Sequence, residues 1–277
     1  MTVATAPLGR FGEHQENRGA PFPTATWIVA RRALVKTIRT PQLLVAGTAQ
    51  GVMFLLIFRY IFGGAIAHTG AMTYVDFVAP GFVVTSGLFG AMNGATAIAE
   101  DLQQGLVDRL RSLPIPAMSV IWGRVVADTV FAVWGLAVTT AVSFAVGFRL
   151  HGGIVGGLEA FGVAVLAAFA FCWLFATLGF YAGSAQGAQS LAFLVFPLTF
   201  VSSAYVPIST MPGWMQPFAA HQPITLLVNT ARILTQGHAA TAVLGHTAAF
   251  YFPTALVWVA GIVVVCGPLA RWRLGRV

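Results

Sequence analysis

Long apolar runs decide what this chain can fold into. Residues 42–63, 77–99, 120–147, 158–183, 187–207 and 246–268 are nearly free of charge, and each has the length of about 20 predominantly apolar residues that one helix needs to cross a bilayer. A spanning backbone must satisfy its own hydrogen bonds, which a helix does and an open loop does not. The runs are therefore expected to be six transmembrane helices. The sequence is 57% hydrophobic and 8% charged, with a mean hydropathy of +0.81, whereas a soluble domain carries roughly 25% charged residues. The class expected is an all-α integral membrane protein. It divides into a cytosolic tail at 1–24, an amphipathic interfacial helix at 25–40, a membrane domain at 41–270 and a basic tail at 271–277. The first 25 residues mix Arg10, Glu13, Glu16 and Arg18 with prolines and lack the apolar core of a signal peptide.

The net charge of +7 sorts by membrane side, so it calls for no nucleic acid partner. An even number of spans puts both termini on one side, and that side carries Arg10, Arg18, Arg31, Arg32, Lys36, Arg39, Arg109, Arg111, Arg124, Arg271, Arg273 and Arg276. The other side has only Arg149 and Arg232, with Arg59 inside the first span. Positive residues stay cytosolic, which places the termini in the cytosol and the chain in the cytoplasmic membrane. Arg59 needs a partner at that depth, and Asp76 or Glu159 at neighbouring span starts is expected to supply an ion pair.

Three segments do not span. In TWIVARRALVKTIRTP, Trp27, Leu34 and Ile38 fall on one helical face and Arg32, Lys36 and Arg39 on the opposite one, the pattern of a helix at a membrane surface. Pro41 ends it and opens the first span. Residues 207–236 hold prolines at 207, 212, 217 and 223, too many for a regular span. They are expected as an outer re-entrant hairpin of two short helices, the second closing near Gly237. Between spans two and three, EDLQQGLVDRLRSLPIP repeats Leu102, Leu106, Val107, Leu110 and Leu113 at helical spacing. With Glu100 and Asp101 in its first turn, Arg109 and Arg111 in its last, and Pro114 and Pro116 beyond, it reads as a discrete, dipole-matched cytosolic helix over 100–113.

Little chemistry is available. Glu100 and Asp101 are adjacent and point about 100° apart on a helix, a poor acid/base pair. Asp128 follows Arg124 by four residues and is expected to form an ion pair with it. Cys172 and Cys266 lie in apolar runs, with no spacing that could hold a metal. The sole lysine, Lys36, follows Val35, whereas a phosphate-binding P-loop needs glycine before its lysine. No catalytic site, metal or cofactor is expected in this chain.

Residues 100–116 resemble the intracellular loop of ABC-2 type exporter permeases. Residues 200–232, FVSSAYVPISTMPGWMQPFAAHQPITLLVNTAR, are similar to that family's fifth-span exit and outer hairpin, with Trp214 in the MPGWMQ turn, Pro223 and the closing Arg232. The likeness covers nearly the whole chain and is strongest to daunorubicin-resistance type permeases. Gln222 stands where the family commonly has Asn, and Leu226 where a polar or aromatic residue is frequent. The resemblance implies an exporter of amphipathic drugs or lipids, built from two identical or homologous permease chains on two cytosolic ATP-binding subunits that hold ATP and magnesium. It implies that 100–113 is the coupling helix, with Glu100, Asp101, Gln104, Asp108, Arg109 and Arg111 as ATPase contacts. Residues 25–40, with Arg32, Lys36 and Arg39, are then the connecting helix. It also implies a translocation path along spans two and five, where Asn93 and the stripe Phe193, Phe196 and Phe200 are candidates. From the residues alone, the stripe could equally be core or lipid-facing, and Gly90 and Gly94 could simply mark close helix packing. Two other functions stay open here: a polysaccharide or glycolipid exporter, and an ATP-independent channel or carrier.

Overall fold

The computed structural model describes residues 20–63, 68–69, 72–106, 109 and 114–276. These are helical except for turns and a two-stranded antiparallel ribbon, β1 (His68–Thr69) and β2 (Met72–Thr73). The helices are α1 (Phe22–Ile38), α2 (Pro41–Ile57), α3 (Tyr74–Gln103), α4 (Ala117–Ala145), α5 (Gly153–Tyr181) and α6 (Ala185–Phe193). They continue with α7 (Phe196–Phe200), α8 (Gln216–His221), α9 (Pro223–Gln236), α10 (His238–Leu244) and α11 (Ala248–Leu274). Among the described residues, α3, α4, α5 and α11 are long and apolar enough to cross a membrane. Pro41 sits at the first turn of α2, where its missing N–H costs nothing. This helix runs on as a π-helical segment, Phe58–Phe62, through the first predicted span.

Helix α3 is the axis of the bundle and packs against α2, α4, α5, α6 and α9. It starts at Thr73, whose Oγ1 accepts from the Asp76 amide at 3.3 Å and donates to Asp76 Oδ2 at 2.7 Å. Helix α5 lays Ala160, Ala164, Ala167 and Ala168, all buried, along one face. Small side chains at that spacing let helices approach closely where hydrocarbon supplies no hydrophobic drive. Helix α1 packs on α4 through the buried Ala25 and Ala30 and leaves Trp27, Ile28 and Ile38 exposed. Helix α11 stands at the edge with Val257, Val264 and Val265 outward.

Two expectations need correction. Residues 187–207 are not one helix. Helix α6 ends at Phe193, α7 begins with Pro197 in its first turn, and the chain after Phe200 turns irregularly. Pro197 has no N–H to continue the ladder, and the carbonyls and amides so released are satisfied by α9 (below). Residues 100–113 do not begin a separate helix at Glu100 either. Helix α3 carries straight through to Gln103 and turns at Gln104 and Gly105, where Gly105 adopts φ 63°, a conformation that costs other residues a Cβ clash. Glu100 and Asp101 thus occupy the last turn of a long helix, the end where the macrodipole disfavours acids.

Candidate functional site

The penalty at the end of α3 is offset by cations from two other helices. Lys36 Nζ of α1 lies 3.7 Å from Asp101 Oδ1, and Arg124 Nη1 of α4 lies 3.7 Å from Asp101 Oδ2. Arg124 Nε in turn donates to Asp128 Oδ2 at 2.9 Å, the i,i+4 pair expected from the spacing. Lys36 is half exposed, so its pairing is screened by water. Arg124 and Asp128 are largely buried, and there loss of one partner leaves an uncompensated charge. The chain Lys36, Asp101, Arg124, Asp128 therefore ties α1, the end of α3 and α4 into one unit. Arg32 and Lys36 line a cleft of about 90 Å³ beside it, together with Asp101 and Arg124.

Of the other expected contact residues, Glu100 is half-buried while Gln104 and Arg109 are exposed beyond the charge chain. The Arg109 amide donates to the Gly105 carbonyl at 3.2 Å. Asp108 and Arg111 lie outside the described residues. Arg39 is exposed at the end of α1.

The same cluster borders a cavity of about 260 Å³ between α2, α3, α4 and α6, lined by Asn93, Gly94, Glu100, Asp128, Trp134 and Gln189 among others. Gly94 permits the approach: a Cβ there would meet Asp128 Oδ2 at 2.6 Å. Close packing and cavity are thus the same feature. Asn93 is exposed and faces this hollow.

The phenylalanine stripe continues into an aromatic column. Phe193 stacks on Phe196 at 5.2 Å, and Phe196 meets Phe200, and Phe200 Tyr205, also at 5.2 Å between centroids. Phe54 of α2 touches Phe89, Phe196 and Phe200, and Phe58 touches Phe62, Phe82 and Tyr205. Phe193 and Phe200 keep an outward face. Phe54, Phe58, Phe89 and Tyr205 escaped sequence reasoning, although the i,i+4 spacing of Phe54, Phe58 and Phe62 is a usable signal.

The hairpin segment holds the break after α7 together from one face of α9. Gln222 Nε2 donates to the Leu198 carbonyl at 3.2 Å and to that of Val201. Thr225 Oγ1 accepts from the Ser203 amide, and Asn229 Oδ1 from Ser203 Oγ. Arg232, fully buried, donates to the carbonyls of Phe77 and Ser203, each at 2.8 Å, and to Asn229 Oδ1, with its guanidinium 3.7 Å from the Phe77 ring centroid. Pro223 opens α9 at its first turn, and Trp214 stands out in the preceding loop, 81% exposed. Arg59 pairs with neither Asp76 nor Glu159. Its Nε donates to the Val146 carbonyl at 3.2 Å, one of the carbonyls left open at the end of α4, while Asp76 accepts the Arg149 amide.

Comparison with known proteins decides the family. Residues 24–235, from α1 almost to the end of α9, match the model of the ABC-2 type transporter membrane family. The chain belongs to that family. A daunorubicin resistance ABC transporter permease protein of Streptomyces coeruleorubidus is 32% identical over 88% of this chain and 83% of its own length. A probable doxorubicin resistance ABC transporter permease protein of Mycobacterium tuberculosis is 26% identical over 92% of this chain and 90% of its own. An inner membrane transport permease of Escherichia coli is 24% identical over 69% and 74%. The chain is accordingly a multi-pass membrane protein and the permease component of an ABC exporter, a family whose nucleotide-binding domain resides in a separate subunit.

Proposed function

We propose that this permease moves amphipathic drugs or lipids out across the cytoplasmic membrane. In this reading, both termini are cytosolic, the spans number six, two permease chains, identical or homologous, face each other, and two cytosolic ATP-binding subunits supply the energy. The broken segment Ala185–Val206 serves as the fifth span, made tolerable by the polar face of α9. Residues 104–113 carry the ATPase contact through Gln104, Asp108, Arg109 and Arg111. The single observation that carries the mechanism is the chain of charges from Lys36 to Asp128. It begins where α3 leaves the bundle for that segment and ends at the cavity beside Asn93. A push on the segment from ATP-driven closure of the partner would shift Asp101, and with it Arg124 and Asp128, so that local binding energy biases two states of the path. The exposed aromatic rings of Phe193 and Phe200 suit a lipophilic cargo, and this favours drugs or lipids over polysaccharide.

Reconstitution of the chain with its ATP-binding subunit in inverted vesicles tests this. Uptake of a lipophilic fluorescent drug should require ATP, and Phe196→Ala with Phe200→Ala should alter drug-stimulated ATP hydrolysis while the subunits still copurify. Equal uptake without ATP or without the partner would establish a channel or carrier instead.

A further inference from the structure

A third hollow lies towards the opposite end of the bundle from Lys36. It measures about 220 Å³ and opens between α3, α4, α5 and α9. Its walls are apolar, with Phe144 and Phe148 on one side and Ile154, Leu158 and Phe161 on the other. Ile154, Leu158 and Phe161 fall on one face of α5 at i, i+4 and i+7, whereas Glu159 is turned about 100° away from Leu158. Ile154 and Leu158 are 77% and 69% exposed, so the hollow opens sideways, on the flank of two membrane-crossing helices, where acyl chains are the solvent.

A cation is fixed at its lip. Arg149 Nη1 donates to the carbonyls of Phe144 at 3.2 Å and Phe148 at 2.9 Å, both residues of the wall. Its backbone is held as well: the amide donates to Asp76 Oδ1 at 3.0 Å and the carbonyl accepts from Gln236 Nε2 at 2.9 Å. The side chain is exposed, and its Nε and Nη2 donate to none of the described residues. An oriented guanidinium with free donors matches a phosphate, and the apolar slot beneath it matches a hydrocarbon chain. The geometry points to a binding site for one glycerophospholipid, its phosphodiester on Arg149 and an acyl chain between α4 and α5. The inference rests on the membrane-spanning reading of α4 and α5, and is independent of the cargo and of the ATPase. Ala231 and Thr235 of α9 complete the wall, so the bound lipid seals the hairpin against the α4 to α5 connection.

Two photoactivatable probes with the same diazirine-bearing acyl chains distinguish this site from general lipid contact: phosphatidylglycerol, and diacylglycerol, which lacks the phosphate. The full chain in phosphatidylcholine vesicles is irradiated with each, and adducts are mapped by mass spectrometry. Labelling of 144–161 should favour phosphatidylglycerol by about tenfold, the scale of one charge-assisted hydrogen bond, and Arg149→Gln should abolish that preference. Ile154→Trp, an exposed change that plugs the mouth and spares Arg149, should reduce labelling of 144–161 by both probes. Adducts on the lipid-facing side of α11 should stay at wild-type level in both variants, which also reports that they are folded. Equal labelling of 144–161 by the two probes, or an unchanged preference in Arg149→Gln, would overturn the proposal.

Discussion

Arg124 and Asp128 show how a single residue pair is both stabilised and constrained. Their 2.9 Å bond is largely buried, and removing one partner of such a pair costs about 3–5 kcal/mol because the other charge is stranded, whereas removing both costs much less. Asp128→Asn or Arg124→Gln alone should therefore lower the unfolding midpoint of the purified protein in detergent more than the double variant does. Additive losses in the double variant would contradict this account. The pair was legible in the sequence because both residues belong to one helix turn. The Asp101 contacts with Lys36 and Arg124 were not, since they join three elements and no local spacing encodes them. Arg59 was misread for a related reason. At membrane depth a carboxylate is the obvious partner for a guanidinium, but the unsatisfied carbonyl of Val146 at the end of α4 serves as well.

At the scale of elements, α9 is the brace of the bundle. Its N-cap Gln222 and its residues 225, 229 and 232 line one face and satisfy the broken backbone between α7 and the hairpin, so the break and the helix require each other. Arg232→Ala removes donors from the buried carbonyls of Phe77 and Ser203, at roughly 1–3 kcal/mol for each group left unsatisfied. The variant should become sensitive to proteolysis between 200 and 222 before the rest of the chain; unchanged cleavage would mean that the hairpin is held by apolar packing alone. The prolines made the irregularity of 207–236 legible, and the family motif marked Arg232, but the single Pro197 inside 187–207 is flanked by the apolar runs LAFLVF and LTFV, and a lone proline in so apolar a segment does not by itself say that the helix ends. Hydropathy reports the solvent a segment prefers and says nothing of whether its backbone ladder continues. The dipole reading of Glu100 and Asp101 failed in the same way: acids in a first turn and acids in the paired last turn of a longer helix look alike until Gly105 is seen to make the turn.

For the whole molecule, the chain of charges joins the end of α3 to the rim of a cavity. Asp101, one turn before the exposed Gln104, is bridged through Arg124 to Asp128, and these last two border the hollow that holds Asn93 and lies between the helices carrying the aromatic column. A chain whose only lysine follows valine has no P-loop of its own, and its family draws on a separate nucleotide-binding subunit. In the function proposed above, that subunit takes hold at the segment after Gln103. The most direct measurement is copurification of the ATP-binding subunit with the chain carrying Asp108→Arg and Arg109→Glu together, followed by drug-stimulated ATP hydrolysis of whatever complex remains. Loss of the subunit, or a complex whose hydrolysis no longer responds to drug, is the expected result. A wild-type complex with intact stimulation would contradict the account.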